Sequence, residues 1–303
     1  MKYLVIFLNL TILLGSSDIS AQGVWDQYGS SSSKKSTSGD QKPFGLMVGG
    51  DGGFLGRSGD ATMADGSIYA GMLFGRKELQ FVMMAGSYGQ SEVVKYSGDT
   101  YDAVCGCYTQ TTLRDFENHL SVGYFQAGFA YAKQNTALYA TVGIAQVNRK
   151  IPTWVPLNDS LETLEMVKLP RETVLSGSFS GMFKTNSDIV MIEGQGFLSS
   201  EIFGRVRASY LLGFDQGQFY GGPLVGFNSN AVTGFNPISD FEYSPGYELL
   251  VGPQLLISGT DEMNIFQANL SGGVAYNTVP GKGIGFWVNF SLSVSRLNKK
   301  IFP

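Results

Sequence analysis

Titratable groups are scarce in this 303-residue chain: 15% of residues are charged, with a single His and two Cys. That scarcity excludes whole classes of chemistry. One His and the pair Cys105-Gly106-Cys107 cannot supply the four His/Cys ligands of an ordinary metal cage, so no metal or cofactor is expected. The net charge is −4 and the basic residues are scattered, which leaves no electrostatic footprint for nucleic acid. Beyond the N-terminal segment no apolar run approaches 18 residues, so no transmembrane helix is expected. What is present is 40 Gly with 3 Trp, 15 Tyr and 21 Phe. This is too apolar for a disordered chain and too glycine-rich for a helical enzyme. The composition is that of a β-forming protein.

The chain opens with Lys2, then the mostly apolar run Leu4 to Leu14, then small and polar residues up to Ser20-Ala21. Charge, short apolar core and a small residue before the cut make a secretory signal, with cleavage expected after Ala21. The run is about half the ~20 residues that a membrane span requires. Residues 22–43, with Ser30 to Ser33 and Lys34-Lys35-Ser36-Thr37-Ser38-Gly39-Asp40, cannot bury enough apolar area to offset the entropy of ordering. The expected organisation is therefore a signal over 1–21, a flexible Ser-rich periplasmic tail over 22–43, and one β domain over 44–303.

From Phe44 onward the sequence alternates with period two. Phe286, Val288, Phe290, Leu292 and Val294 interleave with Trp287, Asn289, Ser291, Ser293 and Ser295. Val206, Ala208, Tyr210, Leu212 and Phe214 interleave with Arg205, Arg207, Ser209 and Leu211. Successive strand side chains point to opposite faces, so each run has one apolar face and one small or polar face. The pattern predicts about twelve strands, near 44–54, 66–76, 78–93, 113–132, 137–149, 171–184, 188–198, 203–214, 218–228, 246–258, 262–277 and 281–297. Pro223 removes one ladder donor and predicts a local irregularity. Tight connections near 77, 134, 186, 216 and 260 alternate with long ones expected near 55–65, 94–112, 150–170 and 229–245. In the last-but-one of these regions, Leu161, Leu164 and Lys168 recur at helical spacing between Pro156 and Pro170, which predicts a short helix over 158–168.

A soluble sandwich also alternates, but its outer face carries many charges, whereas the second face here is Ser, Gly, Asn and Gln with an occasional charge. That face suits an enclosed lumen. The strands are long enough to cross a bilayer at a tilt, and in lipid every backbone group must pair around a closed ring. The expected fold is all-β: a closed, antiparallel, up-and-down transmembrane barrel of about 12 strands. An even strand count puts both termini at the tight-turn end.

With its signal, its strand rhythm and the final strand Gly285-Phe286-Trp287-Val288-Asn289-Phe290-Ser291-Leu292, the chain resembles Gram-negative outer-membrane β-barrel proteins. The resemblance implies porin-like character, a bacterial outer-membrane location, contact with membrane lipids and lipopolysaccharide, and insertion by the barrel assembly machinery. In that family a C-terminal aromatic aids assembly; here Phe302 is penultimate and Pro303 is last. A narrower likeness, carried by Arg207-Ala208-Ser209-Tyr210-Leu211 and Tyr220-Gly221-Gly222-Pro223, is to a barrel family linked to bacterial cellulose production.

The candidate lumen residues are the polar ones on the non-apolar face: Glu193, Gln195, Arg205, Arg207, Glu248, Gln254 and Gln267. A hairpin turning near 199–201 can set Glu193 across from Arg207 and Gln195 across from Arg205, and Gln254 can face Gln267. Such pairs either form a charge-selective constriction or neutralise one another as a plug. His119 and Ser121 sit two apart on one strand, a spacing open to a lipid-modifying hydrolase, but Phe125 and Phe129 share their parity and point the pair at lipid. Cys105 and Cys107 suit a local disulfide in an exported chain. The sequence therefore points to a non-enzymatic barrel acting as a narrow passive channel for a small solute, or as a structural envelope protein. Its alternatives are a polysaccharide-export accessory and the His119/Ser121 hydrolase.

Overall fold

The computed structural model describes residues 44–57, 62–76, 79–96, 100–102, 105, 107–110, 114–133, 136–156, 161–185, 187–198, 202–214, 219–230, 246–260, 264–278 and 283–297. The expected signal, cleavage site and tail lie outside the described residues. Among those described, every regular element is a β-strand. They are β1 (Phe44–Arg57), β2 (Thr62–Arg76), β3 (Leu79–Tyr96), β4 (Thr100–Asp102), β5 (Cys107–Gln110), β6 (Arg114–Lys133), β7 (Thr136–Pro156), β8 (Leu161–Lys168), β9 (Glu172–Thr185), β10 (Asp188–Leu198), β11 (Ile202–Phe214), β12 (Phe219–Asn230), β13 (Gly246–Thr260), β14 (Asn264–Asn277) and β15 (Ile284–Leu297).

Twelve of these form a closed antiparallel barrel in chain order, with β7 pairing directly to β9. The ring closes through β1 and β15, whose ladder runs from Gly45–Leu297 to Arg57–Gly285. The other three strands build an extension at the long-connection end: β8 pairs with the end of β7, β4 with β8, and β5 with β4.

The alternation of the sequence becomes inside and outside. Val142, Leu175 and Phe286 are exposed, at 73%, 62% and 72%, whereas Val82 and Leu211, on the opposite face of their strands, are fully buried. The exposed side is an apolar band around the barrel, and the buried side holds nearly all the polar residues of the strand centres. This is the surface of a membrane-spanning barrel, not of a water-soluble sandwich. The tight-turn half of the interior is packed with Val82, Met84, Met182, Met191, Leu211 and Leu256.

Four sequence expectations are corrected. Residues 161–168 form strand β8, not part of a helix over 158–168, because β7 runs on past the barrel and offers an open edge whose ladder outweighs local helical spacing. The first connection, expected near 55–65, is confined to 58–61, since β2 already begins at Thr62. The long connection expected near 94–112 carries β4 and β5. Gln254 does not face Gln267: Gln254 pairs with Ser271 and Gln267 with Ser258, because β13 continues to Thr260 and moves the turn.

At Pro223 the β11–β12 ladder lapses between Ser209–Leu224 and Leu212–Gly221 without a change of register. The adjoining Gly222 lets Tyr210 O approach so closely that a Cβ there would collide with it. Gly283, at φ 52°, holds the left-handed turn into β15 and its carbonyl accepts from Asn277 N at 3.0 Å. We expect Gly222→Val to cost about 1–3 kcal/mol through forced backbone displacement. Gly123→Ala, where a Cβ would meet nothing within 4 Å, should be silent. Heat-modifiable gel mobility of the refolded variants checks both.

Candidate functional site: the enclosed polar lumen

Above the apolar packing the interior turns polar, and side chains reach across it. Arg205 on β11 forms a buried ion pair with Asp51 on β1, five strands away around the ring. Ser67 on β2 donates to Asp51 Oδ1 at 2.7 Å, and Arg205 Nη2 donates to Ser67 Oγ at 3.4 Å. The Arg205 guanidinium also lies 5.9 Å from the centre of the Tyr88 ring. This group is a crossbar between opposite walls. Next to it, Tyr88, Phe197 and Phe203 stack with centroids 5.1–6.1 Å apart, and Arg149 lies 5.5 Å from the Phe203 ring.

Strand parity explains why these residues meet. Arg205 and Arg207 alternate with the exposed Val206 and Ala208, so both must enter the barrel. The β10–β11 register sets Glu193 opposite Arg207 and Gln195 opposite Arg205. Arg207 then crosses the β12 backbone where Gly226 offers no side chain, and donates to Asn289 Oδ1 on β15 at 3.2 Å. Glu248 is fully buried between Asn228 and Asn277 in the ladders and accepts from Asn277 Nδ2 at 3.1 Å.

The wall built by β12 to β15 carries a different surface. Asn228, Gln254, Gln267, Asn269, Ser271, Asn289 and Ser291 are all buried on its inner face. Asn228 Oδ1, Gln254 Oε1, Asn269 Oδ1, Ser271 Oγ and Asn289 Nδ2 have no hydrogen-bond partner within the protein. Opposite, Gln126 Oε1 accepts from Thr141 Oγ1 at 2.8 Å and Ser178 Oγ at 2.9 Å, while Gln126 Nε2 and Ser176 Oγ, like the atoms of the β12–β15 row, have no partner within the protein.

The other sequence candidates lie elsewhere. His119 is exposed on the outer face of β6, beside Phe125 and Phe129 in parity, and Ser121 is half-buried on that face; the ladder sets Lys150 and Asn148 across from them. Neither enters the lumen. Cys105 is exposed and disulfide-bonded in the β4–β5 connection, far from the polar interior in the chain's topology. Among the described residues no group of three or more His, Cys, Asp or Glu could hold a metal ion. Sequence reading missed Asp51, Ser67, Tyr88 and Asn289. Asp51 carried a signal, since it alternates with Val48 and Phe54, but its partner lies 154 residues away and no local pattern names it.

Replacing Arg205 by alanine leaves Asp51 buried without its cation and should cost about 3–5 kcal/mol. The double variant Asp51→Asn/Arg205→Ala should recover part of that loss. Urea unfolding of the barrel in lipid vesicles, followed by Trp fluorescence, measures both.

No family model and no curated protein sequence matches the chain, so the likeness of Tyr220-Gly221-Gly222-Pro223 to cellulose-linked barrels has no counterpart there. Solved structures with similar folds include a deltaS2 mutant of the TodX monoaromatic hydrocarbon channel, a Pseudomonas putida protein (8% identity, 86% of this chain and 91% of that one, TM-score 0.47). The translocator domain of the autotransporter NalP from Neisseria meningitidis is similar at 12% identity over 86% and 89% of the two chains, TM-score 0.46. A FadL homologue from Pseudomonas aeruginosa is similar at 8% identity over 93% and 99%, TM-score 0.46. All three TM-scores lie below 0.5, and the closed barrel of this chain is described by its own strand ladders.

Proposed function

We propose that this chain is a bacterial outer-membrane barrel that acts as a narrow passive channel, closed at rest, for small neutral polar solutes. The observation that carries the reading is the buried amide and hydroxyl row on β12 to β15, in which Asn228 Oδ1, Gln254 Oε1, Asn269 Oδ1, Ser271 Oγ and Asn289 Nδ2 find no hydrogen-bond partner within the protein. A buried polar atom without a partner costs about 1–3 kcal/mol, so a barrel filled only for stability has no use for a row of them. Facing water or a hydroxylated solute, the same row is satisfied.

In this reading the Arg205–Asp51 crossbar closes the passage, and Arg207, drawn to Asn289, holds the amide wall in place. The methionines of the tight-turn half form a second, softer barrier, since their unbranched side chains repack at little cost. Neutral amides favour uncharged solutes over ions, because they offer hydrogen bonds without a net field. Membrane lipids and lipopolysaccharide would surround the barrel, and the assembly machinery would insert it.

Planar-bilayer conductance and liposome swelling test the proposal. The wild-type protein is expected to show low ionic current but measurable swelling in small polyols. Arg205→Ala/Arg207→Ala should raise current and swelling several-fold. Equally negligible current and swelling from both proteins would eliminate the channel and leave a structural barrel with a plugged lumen.

A further inference from the structure

The outer face of the barrel is not uniform at the long-connection end. On β12 to β15 it presents Phe227, Tyr247, Tyr276 and Phe286, all exposed, and no charge among the described residues. On β6 to β9 it presents Lys150, Lys168 and Arg171 in a row, with His119 beside them. His119 pairs with Lys150 in the β6–β7 ladder, and Lys150 pairs with Lys168 in the β7–β8 ladder. Arg171 joins them through a bulge: Lys150 faces Lys168 but Val147 faces Glu172, so one extra residue separates β8 from β9 and keeps both Lys168 and Arg171 on the outside. All four side chains are exposed.

Two facts make this row more than a solvated edge. Like charges directly opposite on one face of a ladder repel, and directly paired strand residues have Cβ atoms only about 5 Å apart, so Lys150 and Lys168 raise the energy of the sheet unless an anion lies between them. The described carboxylates nearest in sequence do not serve, since Glu165 and Glu172 fall on the other face of their strands. The depth is also specific. His119 stands six residues above Phe125 and Lys150 six above Ile144, where the apolar band ends. Along strands tilted by about 40° that is roughly 15 Å, beyond the hydrocarbon and in the headgroup layer.

Beside the row lies a groove of about 300 Å³ in the wall of β1, β2, β3 and β6. Its outer lining is mostly small, with Gly52, Gly66, Ser87 and Ser121 beside Ile68 and, at the rim, His119. Ser91 faces His119 in the ladder, so groove and cationic row share an edge. We propose that this surface binds the phosphorylated headgroup of an outer-leaflet glycolipid, with its phosphates on Lys150, Lys168 and Arg171 and its sugar in the groove. The glycolipid fits on charge, on depth and on shape: a cationic row takes phosphate, and the largely apolar hollow next to it, with the hydroxyls of Ser87, Ser91 and Ser121 in its lining, takes the flat face of a saccharide. The cationic row lies on the outer face, the floor of the groove includes Asp51, Ser67 and Tyr88 of the crossbar, and the inference does not depend on the channel reading.

The test measures binding of bis-phosphorylated lipid A, monophosphorylated lipid A and phosphatidylglycerol to the full-length protein in detergent, by native mass spectrometry. Wild type should retain bis-phosphorylated lipid A, bind the monophosphorylated form several-fold more weakly, and hold phosphatidylglycerol weakest. Lys150→Gln/Lys168→Gln should weaken lipid A binding at least tenfold while keeping heat-modifiable mobility, and Arg171→Ala serves should the double variant fail to fold. Unchanged lipid A affinity in a folded variant, or equal affinity of wild type for phosphatidylglycerol, would overturn the proposal.

Discussion

Closure of the backbone ladder is the constraint on which the rest of this molecule depends. A strand edge in lipid has no water to satisfy it, so the ring is complete only because β15 returns to β1 along the full length from Gly45 to Arg57. β1 does this with unusually little side-chain bulk. Its glycines leave room inside for neighbours from β2: a Cβ on Gly49 would strike the Tyr69 ring, and one on Gly53 would strike Asp65. The closing strand is therefore also the strand that lets Asp51 stand alone in the lumen and meet Arg205.

Once closed, the barrel sorts its residues by face and by height. The tight-turn half is filled with methionine, leucine and valine, as in a soluble core, while the half nearer the long connections holds ions and amides. A twelve-stranded ring is narrow enough for an arginine to reach from one wall to the opposite one, which an open sixteen-stranded pore would not permit. Width, more than composition, makes a crossbar possible, and the crossbar ties together walls that share no ladder.

The outer face is sorted as well, around the circumference. Aromatic residues hold one side of the headgroup layer and cations the other, with the β8–β9 bulge keeping the cations in line. The same bulge lies where β7 outgrows its neighbours and recruits β8, β4 and β5. An irregularity in one ladder thus sets the direction of Lys168 and Arg171 and also starts the extension above the barrel.

Period-two alternation was enough to determine strands, faces and the closed barrel, because each strand obeys it locally: Val206 against Arg207, or Phe286 against Trp287, needs no knowledge of a partner. Alternation also placed His119 on the lipid side and Arg205 on the inner side. It failed at 158–168, where helical spacing competed with a free strand edge that only the folded β7 supplies, and at Gln254 and Gln267, where the turn lay a few residues later than composition suggested. The partnership of Arg205 with Asp51, the row from His119 to Arg171, and the placement of the buried amide row of β12 to β15 belong to the tertiary structure alone. Each depends on ring size, register or a one-residue bulge. These are set by which strands lie next to each other, and a side chain's own neighbours in sequence carry no record of that.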